Sequence, residues 1–331
     1  MTTYNIYTLT GAIDNLFSSN TTVTRHEYDE FAISRAGGVS TALQMQGVCS
    51  YTVTAGPNKF KLIQFREENS TIGVGNVSLG KIVHPEFVAS CKYLGTMGDS
   101  RPLYIYEMDK LPGTSHNMAG ISPDDMFRLR NTIKNKFFAQ SWYNDQWPCL
   151  YETDILLMEF ETNFDLLARD LPSRFTPHLE RVRMVLPSLF SRALPIVLSH
   201  RDLNMMNLLT NSVTGLITGI VDWAESRVLP FGFALYGLEN HFGWMDSEGC
   251  HYYDRHRERE RVFWETFREE AHNFSDTDMY LVRAARMAGL FYQYGFDFDI
   301  KGVVRGVPVE QSDSSFAYFD AFCTADEWSP L

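Results

Sequence analysis

The order of apolar and polar positions divides the chain into two stretches with different periods. From about Val39 to Met108, β-branched, aromatic and other apolar residues come in short runs separated by turn residues. Leu43 to Val53 and Phe60 to Arg66 are two such runs, with Ala55-Gly56-Pro57-Asn58 between them as a chain reversal. The pair reads as an antiparallel hairpin. A third run, Leu103 to Met108, leads to Leu111-Pro112-Gly113. There a fixed proline φ and a freely rotating glycine interrupt regular structure.

Beyond that break the period becomes helical. Ser122-Pro123-Asp124-Asp125 has a Ser cap, Pro at the first helical position and acids in the first turn, which together predict a helix start. Leu179, Val182, Leu186 and Leu189 recur at helical spacing, as do Tyr280, Ala284, Met287 and Phe291. Two short apolar runs, Pro195 to Ser199 and Gly219 to Val221, predict small buried strands that end by presenting polar side chains. The expected architecture is α+β and bilobal. An N-terminal segment (1–19) precedes a small antiparallel β-rich lobe (20–108), a hinge (109–113) and a larger, mainly helical lobe (114–331).

Composition narrows the function classes. At 331 residues with 44% hydrophobic positions, the chain is long enough for two lobes sharing a cleft. A net charge of -12 argues against nucleic acid, since polyanion binding depends on clustered Lys and Arg; a neutral or cationic small molecule suits it better. The five cysteines, Cys49, Cys91, Cys149, Cys250 and Cys323, form no C-x-x-C pair. That favours reduced thiols in the cytoplasm. Met1 to Leu16 does not have the pattern of a cleaved leader, and no apolar stretch is long enough for a membrane span. The expectation is a soluble, unprocessed chain.

The chemistry concentrates in His200-Arg201-Asp202-Leu203-Asn204-Met205-Met206-Asn207, with Asp222-Trp223 at the end of the second apolar run. H-R-D-L-x-x-x-N is the form of a phosphoryl-transfer loop in which the Asp accepts a hydroxyl proton and the Asn holds a metal ion. Asp222 supplies a second oxygen ligand of the kind a hard cation prefers. The bland reading makes Asp202 and Asn207 turn residues and Asp222 a helix cap. The apolar runs before both segments, Leu203 and the spacing to Asp222 favour the chemical reading.

On these residues the chain resembles the aminoglycoside phosphotransferase and choline kinase-like family, small-molecule kinases with a protein-kinase-like fold. His200, Asp202 and Asn207 match its H-x-D-x-x-x-x-N loop, and Ile220-Val221-Asp222-Trp223 its I-D-W segment. Tyr104 to Met108 with Leu111-Pro112-Gly113 looks like its interlobe segment, and Ala224 to Gly232 resembles fungal members. The resemblance implies that Asp202 is the catalytic base and that His200 supports the catalytic loop. It implies that Asn207 and Asp222 bind Mg2+ and that ATP is the phosphate donor.

Within the β-rich stretch, Met45 to Val53 can be laid on a strand, loop, strand phosphate cover in which Gly47 and Ser50 approach the nucleotide. A plain hairpin turn fits the same residues. The family places a Lys or Arg on the next strand, where the best register puts Gln64. Lys61 and Arg66 are the neighbouring cations, on opposite faces by strand alternation, and Arg66 is the preferred phosphate contact. Glu67, Glu68 and Glu86 are the nearby carboxylates, and none is marked as the helix acid that would anchor such a cation. Glu107 and Met108 would offer backbone groups to an adenine ring.

For the acceptor, Glu225 and Trp223, with Glu239, Asp246, Glu248, Phe242 and Trp244, could build an acidic aromatic site for an amine; the aromatics equally fit a core. His241, Cys250 and His251 match no zinc spacing. The expected activity is ATP- and Mg2+-dependent phosphorylation of a small-molecule hydroxyl. The alternative is a kinase-fold protein that handles a metabolite without ATP turnover.

Overall fold

In the computed structural model, the residues described are 7–19, 21–119, 136–146, 153–246, 249–298, 304–307 and 315–323. The Ser122 helix start and Glu248 lie outside them. The chain divides into two compact units, Met1–Pro112 and Gly113–Leu331. It is an α+β chain with an antiparallel N-terminal sheet and a mainly helical C-terminal unit. No helix among the described residues is long and apolar enough to cross a membrane.

Unit 1 contains helices α1 (Leu9–Ser19), α2 (Arg25–Ala36) and α3 (Val74–Val83) and strands β1 (Thr41–Ala42), β2 (Ser50–Ala55), β3 (Lys61–Arg66), β4 (Cys91–Met97) and β5 (Leu103–Asp109). The strands form one antiparallel sheet in the order β1-β2-β3-β5-β4. Side chains alternate between its faces. Tyr51, Val53, Ala55, Ile63, Phe65, Leu103 and Ile105 share one apolar core with Ile13 and Leu16 of α1 and Tyr28 and Ala32 of α2. Residues expected to precede the sheet as a separate segment therefore belong to its core. Each large apolar side chain buried there contributes about 1.5–3 kcal/mol. A capping box, Thr24 with Glu27, starts α2 and satisfies end N–H groups that would otherwise be orphaned.

The hairpin of β2 and β3 forms as expected, its turn carrying Gly56 at φ 89 and a 3₁₀ turn over Pro57–Lys59. Leu43 to Cys49, however, is loop and not strand. The Gln46 amide accounts for this: it donates to the Leu43 and Thr52 carbonyls at 2.9 Å each and accepts from Thr52 N at 2.7 Å. A side chain thus takes the ladder position that a continuing strand would have filled. The Tyr7 hydroxyl steadies the same loop, accepting from Gln46 N at 2.8 Å and donating to the Gln44 carbonyl at 3.3 Å.

Unit 2 is built on helices α4 (136–143), α5 (Thr153–Asp170), α6 (Thr176–Leu189), α7 (His256–Glu270), α8 (Asp276–Tyr294) and α9 (Ser315–Cys323). Leu179, Val182, Leu186 and Leu189 are all buried along α6, which packs on α5 and α8. Ala284, Met287 and Phe291 of α8 are buried as expected, but Tyr280 is 49% exposed. Tyr280 lies near the start of α8, where its neighbours Met279, Leu281 and Val282 are buried instead.

Short ladders are set among these helices: β6 (Thr114–Ser115), β8 (Leu208–Thr210) and β9 (Ile217–Ile220) form one, and β7 (Ile196–Ser199) pairs with β10 (Arg227–Pro230). Two further hairpins join β11 (Gly243–Asp246) to β12 (Gly249–Tyr252) and β13 (Asp297–Phe298) to β14 (Val304–Gly306). Gly113, at φ 104, opens this unit against Thr218 Oγ1 and the Thr210 carbonyl, 2.3 and 2.9 Å from where a Cβ would stand. Only glycine fits there.

Candidate active site

The two apolar runs predicted as strands are β7 and β9, and their pairings bring the polar segments together. β7 ends at Ser199, opposite Arg227 of β10, so His200 leaves the ladder where the segment after β9 enters it. On the other ladder Leu208 pairs with Ile220, and one step further Val221 N donates to the Asn207 carbonyl at 2.9 Å. Strand register alone therefore places Asn207 beside Val221, one residue from Asp222.

His200 joins both segments from inside. It is 2% exposed, its Nε2 lies 2.9 Å from the Val221 carbonyl, and Asp202 N donates to its Nδ1 at 3.3 Å. A ring that donates at Nε2 and accepts at Nδ1 is the neutral tautomer. Burial lowers its pKa to about 4, against smaller opposing effects of the Val221 bond and the Asp222 charge. The imidazole is a neutral, buried link between the two segments.

The Asp202 carboxylate is gripped by two amides. Asn204 Nδ2 donates to Oδ1 at 2.8 Å, and Asn207 Nδ2 donates to Oδ2 and to the Asp202 carbonyl, each at 2.8 Å. Asn204 also folds the loop, its Oδ1 accepting from Met206 N at 2.8 Å and Asn207 N at 3.3 Å. Burial raises the Asp202 pKa; the two asparagine bonds pull it down and the charge of Asp222 pushes it up again. A carboxylate whose ionisation is made costlier by the charge of a second one suits a shared cation.

Backbone strain surrounds this carboxylate. Arg201 has φ 64 and Asp222 φ 60, and a left-handed conformation is costly for a long side chain such as Arg. Arg201 is held there by the Tyr236 hydroxyl, which donates to its carbonyl, by Gln293 Oε1 at 3.4 Å from Nη2, and by the Tyr292 ring 4.9 Å below its guanidinium. Gly237 lets the 3₁₀ segment Leu235–His241 approach the loop, with the Leu203 carbonyl 2.8 Å from where a Cβ would stand. Asn204, Tyr236 and Arg201 were not marked as site residues in the sequence. Asn204 carried a signal, since an Asn inside a short polar loop closes turns through its side chain.

The structure departs from the expected acceptor site. Trp223 is 5% exposed, edge-on to His200 at 4.7 Å, with its Nε1 donating to the Ile220 carbonyl at 3.0 Å; its ring is core and offers no face to a ligand. Phe242 is buried, and Glu239 is buried in an ion pair with Arg286. Asp246 is 2.9 Å from His251 Nε2, and the exposed Trp244 stacks on that imidazole. Glu225 stays on the surface, 68% exposed and 4.0 Å from Arg201. Left-handed Asp222 followed by a 3₁₀ turn over Trp223–Glu225 turns the tryptophan inward and the glutamate outward. No group of three His, Cys, Asp or Glu among the described residues is arranged to hold a metal ion, so a cation here would need the Asn207 oxygen.

In unit 1, Gly47 lies in the β1–β2 loop and Ser50 opens β2 opposite Arg66. Gly47 does not occupy the left-handed region. Lys61 lies on the helix-packed face, 2.6 Å from Asp109 and 3.7 Å from Glu107, and Glu107 is bonded to Arg35 at 2.6 Å. Gln64, Arg66 and Met108 share the opposite face. Helix α3, which follows β3, contains no Asp or Glu.

No protein-family model matches the chain, and no curated protein matches it in sequence. Solved structures do. A GDP complex of a point mutant of aminoglycoside 2'-phosphotransferase IIIa aligns with a TM-score of 0.52 at 12% identity, over 82% of this chain and 90% of that one. The chain has the aminoglycoside phosphotransferase fold. The aminoglycoside phosphotransferase APH(3'')-Id from Streptomyces rimosus shares that fold with a TM-score of 0.50 at 12% identity, over 81% of this chain and 97% of that one.

Proposed function

We propose that the protein is a phosphotransferase that moves a phosphoryl group from ATP to a hydroxyl of a small molecule. The observation that carries this reading is the Asp202 carboxylate, held by the Asn204 and Asn207 amides beside the neutral His200 and sensing the charge of Asp222. Phosphoryl transfer asks little covalent chemistry of a protein and much positioning.

Asp202 would accept the hydroxyl proton of the acceptor. Its raised pKa makes it a better base than a solvated carboxylate. Asn207 directs its amide hydrogens to Asp202, leaving its oxygen to face away, and with Asp222 it would hold Mg2+. These oxygen donors fit a hard divalent cation, which when bound would neutralise charge on the phosphates. Gly47 in the β1–β2 loop, Ser50 at the start of β2, and the backbone of Glu107 and Met108 would serve the nucleotide. Glu225, exposed beside Arg201, would meet the acceptor.

The test is release of ADP during a screen of hydroxylated amines and other metabolites, with thermal melting in MgATP as the binding readout. Binding to the folded state raises the melting temperature by mass action. Asp202→Asn is expected to keep the melting shift and lose turnover by about 10²–10⁴-fold. Absence of any shift at saturating MgATP, in folded protein, overturns the reading. Gln64 on β3 and the lack of a carboxylate in α3 favour a second reading, a binder of small metabolites without ATP turnover. Unchanged activity of Asp202→Asn on a native substrate would select it.

A further inference from the structure

β3 carries Gln64 where the resemblance calls for a basic residue, and the helix that follows supplies no carboxylate. The side chains around Gln64 show how the charge is replaced. Gln64 and Arg66 are two apart on one face of β3, with Cα atoms about 7 Å apart, a span an arginine can cross. Arg66 does so: Nη1 donates to Gln64 Oε1 at 3.2 Å, while Nε donates to the Ser70 carbonyl. Gln64 Nε2 in turn donates to Thr52 Oγ1 at 2.9 Å. Because a guanidinium has only donors, the Gln64 oxygen must face Arg66 and its NH2 must face Thr52. The amide has one orientation.

Neighbouring groups feel the guanidinium's charge from the same side. Cys91 pairs with Met108, which pairs with Leu62, two residues before Gln64 and away from Arg66. Burial raises the Cys91 thiol to about 11, and the Arg66 charge acts on it in the opposite sense. The Tyr106 phenol, across from Gln64, senses the same charge. The guanidinium is folded back along β3 toward the Gln64 position.

Resting on the phosphotransferase reading, we infer that Arg66, held in place by Gln64 and the Ser70 carbonyl, is the cation that meets the nucleotide phosphates, and that Gln64 is its positioning residue. Lys61 lies on the other face, spent on Asp109 and Glu107. The pair Gln64 and Arg66 thus does from positions i and i+2 what one basic side chain at Gln64 would do.

The experiment compares binding of MgATP and of adenosine by ligand-detected NMR, which reads weak binders. Arg66→Gln is expected to lose roughly tenfold or more in MgATP affinity with adenosine unchanged, as for a lost charge-assisted contact. Gln64→Leu, which keeps Arg66 and removes its bracket, is expected to lose about three- to tenfold in MgATP with adenosine unchanged. The double variant Gln64→Lys/Arg66→Gln returns a cation to the strand and is expected to restore the preference for MgATP. A merely structural role for Gln64 would move both ligands together and would not be rescued. Wild type binding MgATP while Arg66→Gln binds it equally well overturns this inference alone; wild type binding no MgATP removes the phosphotransferase reading and this inference with it.

Discussion

A buried neutral histidine makes stability depend on pH in a window set by its two states. His200 has an ordinary pKa of 6.5 when unfolded and about 4 when folded, because burial disfavours its charged form. Between these values the unfolded chain binds a proton that the folded chain refuses, so stability rises with pH across the window and is lost as pH falls through it. The full fall from 6.5 to about 4 corresponds to about 3 kcal/mol, and the part realised at about pH 5 to about 2 kcal/mol. Asp202 acts in the opposite sense. Its raised folded pKa makes the folded state the better proton binder, so its share of stability falls as pH rises from the ordinary carboxylate value toward the folded one.

A difference measurement separates the two groups. Urea unfolding followed by tryptophan fluorescence at about pH 7.5 and about pH 5 is compared for wild type and His200→Gln. Asp202 and the surface carboxylates contribute to both proteins, whereas only wild type carries the buried imidazole. Wild type should lose about 2 kcal/mol more than the variant over that interval. If the stability gap between the two proteins stays constant to within about 0.5 kcal/mol, His200 is not a neutral buried imidazole.

Three further outcomes follow from the surroundings of the loop. Tyr236→Phe removes the hydroxyl that donates to the carbonyl of left-handed Arg201, and is expected to lower unfolding free energy by about 1–3 kcal/mol in denaturant titration. Gly237→Ala places a methyl 2.8 Å from the Leu203 carbonyl, which should cost about 1–3 kcal/mol and depress kcat more than nucleotide affinity, read by ADP release. Arg227→Met deprives Glu159 of its ion pair and leaves it the Tyr292 hydroxyl at 3.2 Å. With both groups partly exposed, the loss should be about 1 kcal/mol, and Glu159→Gln on the same background should recover part of it.

The polar loop after β7 was legible because its residues are close in sequence. Asp202, Asn207 and Asp222 sit at spacings that two short ladders convert into neighbours, and the apolar runs that build those ladders are visible in the chain. Orientation was not legible. Trp223 follows Asp222 directly, so the sequence placed it at the site. A left-handed residue and a 3₁₀ turn then direct its ring into the core. Leu43 to Cys49 has strand composition, but composition cannot show that the Gln46 amide occupies the ladder position beside Thr52.

The position of Gln64 illustrates a deeper limit. Alternation correctly separated Lys61 from Arg66, because a period of two needs nothing beyond the strand itself. Whether Arg66 occupies its own position or its neighbour's depends on side-chain reach, which the period does not encode. An arginine two residues along can return its charge to Gln64 if something accepts from it there, and the Gln64 oxygen does so. A motif scan scores a neutral residue at that point as a lost function. Hydrogen-bond bookkeeping reads the same glutamine as part of a two-residue cation, since a guanidinium of five donors can bond to Gln64 and Ser70 through different nitrogens. A motif position is therefore better defined by where the charge comes to rest than by which residue number carries it.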